Sequence, residues 1–186
     1  PRHVPDGGSA KMIYAITNKG AQTVHNAGLT QKLTKTDLSA QNKEVGDLYI
    51  AHRLLISHIR AVLTAACAKY PDFKLLSWRE GREITDTIEV PLPNSYAGSK
   101  LPVAADSFFS IGDAQGRTHY LLEADRGTMT LARFTRKLIA YAAYDQAQRH
   151  KEKFGIRKFR VLTVTSSACR MRNLMRAAKE AESVRR

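Results

Sequence analysis

Tryptophan occurs once and cysteine twice in these 186 residues, and acids are outnumbered by bases, 17 to 30. Neither a GxxxxGK[ST] nor a GxGxxG loop is present, so a nucleotide-driven motor has nothing to cradle its phosphates. No GxSxG elbow points to a serine hydrolase of the α/β type. Cys67 and Cys169 stand alone without a CxxC pair, which argues against a disulfide framework or a thiolate zinc site. Both are expected to be buried small hydrophobes in a reducing compartment. His58, His119 and His150 show no metal-ligand spacing to one another. Trp78 and the tyrosines are too scattered to suggest a stacking platform for single strands. No apolar run approaches the ~20 residues that cross a bilayer, and neither end reads as a signal peptide. The expectation is a cytoplasmic protein with no membrane partner. The chain opens on Pro1 rather than Met, which reads as a fragment or a processed product.

What the chain has in quantity is apolar residues, 43%, and positive charge, a formal +13. The first supports one well-buried core plus a small appendage. The second is uneven, at +3 for residues 1–46, +1 for 47–148 and +9 for 149–186. A basic surface so concentrated suits a polyanion, and nucleic acid is the commonest one. Double-stranded DNA is therefore the expected partner, with Lys11, Arg133, Arg136, Arg157, Lys158, Arg170 and Arg172 as the expected phosphate contacts. A homodimer is an expectation left open.

Hydropathy patterning predicts a short strand over 12–17 and a short helix over 18–26 capped by Thr17. A polar linker follows over 29–46. Leu48, Leu54, Leu55, Ile59, Val62, Leu63 and Ala66 recur at helical spacing, so residues 47–70 read as a long helix with Asp47 as its cap and Pro71 as its stop. Residues 75–78 and 87–90 are strand candidates. Pro91, Pro93, Asn94, Gly98 and Pro102 fill a predicted loop. A second long helix is expected over 130–150. A continuous apolar strand of the doubly buried type is expected over 159–165, and a last helix capped by Ser166 and Ser167 over 168–181. The fold class is α/β, a mixed sheet flanked by helices.

The acids are most informative between these elements. Ala105-Asp106-Ser107-Phe108-Phe109 and Tyr120-Leu121-Leu122-Glu123-Ala124-Asp125 are two apolar strands separated by the turn-rich Gly112-Asp113-Ala114-Gln115-Gly116. A strand repeats every two residues, so Glu123 and Asp125 share a face, and a hairpin brings Asp106 beside them. Three crowded carboxylates repel one another unless a cation neutralises them, and hard divalent cations prefer oxygen. Mg²⁺ or Mn²⁺ held by Asp106, Glu123 and Asp125 is the sharp expectation. Solvated strand-end acids are the bland one.

An αβββαβ order with Asp on the second strand and an acidic third strand resembles the PD-(D/E)xK endonuclease-like fold. The string Leu122-Glu123-Ala124-Asp125-Arg126-Gly127-Thr128, followed by Lys137-Leu138-Ile139-Ala140-Tyr141, more specifically resembles the replication-relaxation family of plasmids and mobile elements. His52 and Val161-Leu162-Thr163-Val164-Thr165 fit the same family. The resemblance implies a winged helix ahead of the endonuclease-like domain. Here residues 1–46 would be its remnant, wing and following helix, with linker, and 47–186 the endonuclease-like domain. The recognition helix would lie before Pro1.

The resemblance also implies catalytic roles for Asp106, Glu123 and Lys137. The nuclease pattern has Lys two residues after its Glu, whereas this chain has Asp125, so Lys137 would substitute from the helix. Its bland alternative is a solvated cation. His52, Arg126 and Tyr141 are accessory candidates. His52 is equally a core histidine, and Arg126 equally a structural ion-pair partner. Three readings stay open: a metal-dependent DNA endonuclease or nickase, a non-catalytic origin or operator-binding protein on the same scaffold, and a protein-interaction domain.

Overall fold

The computed structural model describes residues 14–28, 46–90 and 99–183. The chain divides into two compact units, Pro1–Ala51 and His52–Arg186. In the first, Tyr14 to Thr17 belong to neither sheet, which corrects that part of the strand expected over 12–17, residues 12 and 13 lying outside the described residues. β-forming side chains alone do not hold a strand; pairing does. Thr17 does open helix α1 (Asn18–Asn26), its hydroxyl accepting from the Gly20 N–H at 3.2 Å.

Helix α2 (Asp47–Lys69) begins at Asp47 itself, which lies in the first turn rather than ahead of it as a cap. By length and composition alone it is the one helix among the described residues long and apolar enough to cross a membrane, a test that a helix packed on a sheet also passes. Reading by runs missed this, because single charges such as Arg53 and Arg60 interrupt its apolar residues without diluting them. Its inward side carries Ile56 and Ile59, which pack on Phe109, Leu122 and Ala124.

Strand β1 (Lys74–Arg79) follows, then a 3₁₀ turn (Gly81–Ile84) and strands β2 (Asp86–Val90), β3 (Ser99–Val103), β4 (Ser107–Asp113) and β5 (Gly116–Asp125). Four strands form one sheet in the order β1-β4-β5-β6, where β6 is Arg160–Thr165. β1, β4 and β5 run antiparallel, and β6 joins β5 in parallel. β2 and β3 pair separately as a two-stranded ribbon. β3 occupies part of the predicted loop and carries Pro102 opposite Thr87. A ribbon strand is an edge, where a missing N–H is tolerated.

The opposite face of the sheet is covered by α3 (Leu131–Gln146), α4 (Arg149–Phe154) and the ribbon. Ile88, Val90, Leu101 and Val103 of the ribbon meet Phe108, Leu121, Ala140, Tyr141 and Tyr144 there. Thr130 caps α3 by accepting from Arg133 N–H at 3.2 Å. The single helix expected over 130–150 is broken at Gln148, whose φ of 55° is left-handed, so α4 starts afresh. Helix α5 (Ala168–Ser183) packs on α3 through Phe134, Leu174 and Ala177. Ser167 caps it, accepting from Arg170 N–H.

Two burial expectations need correction. β6 is an edge strand with no fully buried residue, because an apolar run tells the composition of a strand and not its place in the sheet. Cys169 is exposed at the start of α5, and Cys67 is half-buried. The observed class is mixed α/β, with helices on both sheet faces.

Candidate functional site

The site follows from the register of β5. Leu122 and Ala124 point towards α2, and Leu121, Glu123 and Asp125 point the other way, as period two requires. Ser107 of β4 is opposite Leu122, so Asp106 sits one residue beyond the end of the strand. It remains tied to β5 at two points. Its N–H donates to Leu122 O at 2.9 Å, and its Oδ2 accepts from Ala124 N–H at 2.7 Å. The carboxylate thereby continues the ladder where the backbone of β4 stops. Its other oxygen lies 3.0 Å from His52 Nε2 on α2.

Glu123 is 2% exposed. Lys137 Nζ donates to Oε2 at 2.5 Å, and the Tyr141 hydroxyl donates to Oε1. Lys137 and Tyr141 are four apart, so one stripe of α3 brings both to one carboxylate. Burial pushes the Glu123 carboxyl above its ordinary value, the nearby Asp106 charge adds to this, and Lys137 and Tyr141 oppose it. Burial and the Glu123 charge push the Tyr141 hydroxyl far up, so it stays protonated and donates.

Asp125 has gone elsewhere. Arg170 Nε and one terminal nitrogen of that guanidinium reach its two oxygens at 2.9 and 3.1 Å, and Thr165 donates to Oδ2 at 2.8 Å. Arg170 also donates to Met129 O, tying the loop before α3 to α5. Burial alone would raise the Asp125 carboxyl, but hydrogen bonds from Arg170 and Thr165 and the Arg170 charge hold it below the usual carboxylate range.

The structure therefore brings together His52, Asp106, Glu123, Lys137 and Tyr141. Asp125 shares the Glu123 side of β5 but forms a separate centre with Arg170 and Thr165. Thr165 and this use of Arg170 were not foreseen, since Asp125 and Arg170 lie 45 residues apart with no local pattern to link them. Arg126 is half-buried beside Asp125. Arg133, Arg136, Arg157, Lys158 and Arg172 are all exposed, and Lys11 lies outside the described residues. Arg176 and Lys179 extend Arg172 into an exposed stripe at i, i+4, i+7 on α5.

Among the described residues no group of three or more His, Cys, Asp or Glu side chains is placed to hold a metal ion. Asp106 and Glu123 are nevertheless two hard oxygen donors within electrostatic reach of one another. Mg²⁺ is usually held by one or two carboxylates together with waters and substrate phosphate. At this pair it would have to share or displace Lys137 and Tyr141 on Glu123, and His52 and the Ala124 N–H on Asp106. Asp125 belongs to the separate centre it forms with Arg170 and Thr165.

No curated protein and no solved structure matches the chain. The family model described as replication-relaxation matches residues 1–158, most of the chain and every residue of the Glu123 site. The buried Glu123 with its Lys137 and Tyr141 donors thus stands in a chain that belongs to the replication-relaxation family.

Proposed function

We propose that the protein binds double-stranded DNA in plasmid or mobile-element replication, and that the Asp106–Glu123–Lys137 centre acts on a phosphodiester with a divalent metal. The observation that carries this reading is a carboxylate buried to 2% exposure with a lysine on one oxygen and a tyrosine on the other. A buried ionisable group with specific charge partners is a functional-site candidate on physical grounds. Mg²⁺ or Mn²⁺, when bound by Asp106 and Glu123, would polarise a phosphoryl oxygen and make hydroxide available.

The chain's own side chains do the rest. Tyr141 holds one Glu123 oxygen and fixes the carboxylate's orientation. Lys137 is the cation paired with the same carboxylate, suited to neutralising charge that develops on a phosphate. The Ala124 N–H and His52 orient Asp106 from two sides. The exposed cations at Arg133, Arg136, Arg157, Lys158 and Arg172 supply phosphate contacts that position DNA without reading its sequence.

A specific observation favours a second reading, in which the fold is a non-catalytic DNA-binding scaffold. Asp125, where the nuclease pattern has its lysine, is occupied by the Arg170 ion pair. Incubation of supercoiled plasmid with the protein and Mg²⁺ or Mn²⁺ decides between them. Nicked or relaxed product that vanishes in Glu123→Gln supports the catalytic reading. Duplex binding by anisotropy without any such product leaves the scaffold, and no duplex binding at low salt removes both.

A further inference from the structure

A cleft of about 870 Å³ lies between α2 and the outer edge of β1, on a part of the molecule that the Glu123 centre does not use. One wall is a single stripe of α2, Arg53, Ser57, Arg60 and Thr64, at i, i+4, i+7 and i+11. Two cations and two hydroxyls thus alternate along one line of a helix whose other positions are mostly apolar. At ~1.5 Å per residue the stripe is about 16 Å long. The floor is Trp78, which stacks on Phe109 and has the Arg60 guanidinium over its ring at 5.8 Å.

The cleft's acids are partly committed already. Glu80 accepts from Trp78 Nε1 at 2.5 Å and from Arg53 at 2.6 Å, which neutralises it. Glu83 stands on the 3₁₀ turn across from the helix. An anion is thereby favoured along the α2 wall and disfavoured at the turn, so a polyanion has one track. Along a stacked strand phosphates follow one another every ~3.4 Å, so the stripe spans several of them. Pockets of roughly 300–1,000 Å³ hold a ligand of small-molecule size. That suits a few nucleotides of one strand and is too small for a duplex with both its backbones. Trp78 is half-buried and already engaged by Phe109 and Arg60, so phosphates rather than base stacking supply the main contacts. His52, next to Arg53 on α2, reaches the Asp106 centre, so one end of this track lies close to that centre.

We propose that the α2–β1 cleft is a subsite for a single strand of DNA, with Arg60 and Ser57 contacting its phosphates; the Thr64 hydroxyl donates instead to the Arg60 carbonyl at 2.9 Å. The inference rests on the DNA-binding reading above and extends it from duplex to an unpaired strand. Trp78 is the only tryptophan, so its emission reports the cleft directly. The probe is a fluorescein-labelled (dT)10, read by anisotropy, with unlabelled (dT)10 read by Trp78 emission.

Binding should change Trp78 emission as phosphate draws Arg60 off the indole. Ser57→Glu, which puts an anion on the exposed wall, should abolish that change. Arg60→Gln should make the salt slope shallower by about 0.7 for each phosphate it no longer neutralises. Duplex affinity should move far less in both variants. (dT)10 binding without a Trp78 response, or Ser57→Glu binding like wild type, overturns the subsite and leaves duplex binding intact. The same Trp78 response to oligoglutamate makes the cleft an acidic-peptide site and overturns it equally. Failure of both duplex and (dT)10 to bind at low salt removes the DNA-binding reading together with the subsite.

Discussion

Lys137→Met isolates the interaction on which the Glu123 centre depends. In the wild type an ammonium 2.5 Å from Oε2 faces a side chain that is almost wholly buried. Methionine matches the aliphatic stem but removes the charge, leaving Glu123 with Tyr141 alone. Removing one partner of a buried ion pair costs ~3–5 kcal/mol, because the remaining charge stays desolvated. The Lys137 side chain is 23% exposed, so solvent screening places the expectation near the lower end, about 3 kcal/mol at pH 8. For a chain of this size that lowers Tm by roughly 6–12 °C.

The pH dependence gives the sharper test. The Glu123 carboxyl has a folded pKa above its ordinary 4.5, so its favourable contribution is complete below 4.5 and is lost as pH rises through the raised value. Lys137→Met raises that value further. The penalty should therefore be largest at pH 8 and shrink as pH falls to 4.5 and below, where the carboxyl is increasingly neutral in both proteins. Urea unfolding followed by Trp78 emission across this range measures it. A variant as stable as wild type at pH 8, or a loss of the same size at every pH, would refute the account of a buried anion held by Lys137.

Glu123→Gln should cost less than Lys137→Met, about 1 kcal/mol, because the ammonium left behind can turn towards water; paired melting curves compare the two. If Glu123 holds a metal, Mn²⁺ should raise the Tm of wild type and leave Glu123→Gln unmoved. Arg170→Ala strands an Asp125 carboxylate that is 1% exposed, and should cost about 3 kcal/mol at pH 7. Asp125 has a depressed folded pKa, so in wild type its contribution is present above the ordinary 3.8 and lost as pH falls through the lower value; acid unfolding of the two proteins should converge there. Duplex affinity should fall steeply with salt, and Arg133→Ala with Arg136→Ala should make the log–log slope shallower by about 0.9 for each phosphate left without its cation. A slope unchanged by the double substitution would place the duplex on another surface.

Local chemistry settled much of this protein without help from the fold. Thr17 and Thr130 open their helices because a hydroxyl before a helical stretch satisfies an N–H that the helix cannot. The alternation along β5 put Glu123 and Asp125 on one side, since strand period is a property of the backbone. Spacing of four on α3 likewise put Lys137 and Tyr141 on one stripe. Elsewhere local signals misled. Proline and glycine between 91 and 102 suggested only loop, yet β3 forms there because a ribbon edge tolerates Pro102. The apolar run at β6 suggested a central strand, but strand order is decided by which neighbours compete for the ladder, and β6 ended at the edge.

The site shows the same division. That acids would gather at the ends of β4 and β5 was legible from the hairpin. Which cation each would meet was not. Glu123 met Lys137 because α3 crosses the sheet above it, and Asp125 met Arg170 because α5 docks on α3 through Phe134, Leu174 and Ala177. The α2–β1 cleft is likewise invisible along the chain, since Arg60 and Trp78 are neighbours only once α2 lies across the sheet. Sequence by itself determined which groups were available and which way they faced, through backbone periodicity and capping. Tertiary structure decided which charges became partners, because a buried charge must be compensated by whatever packing brings within reach.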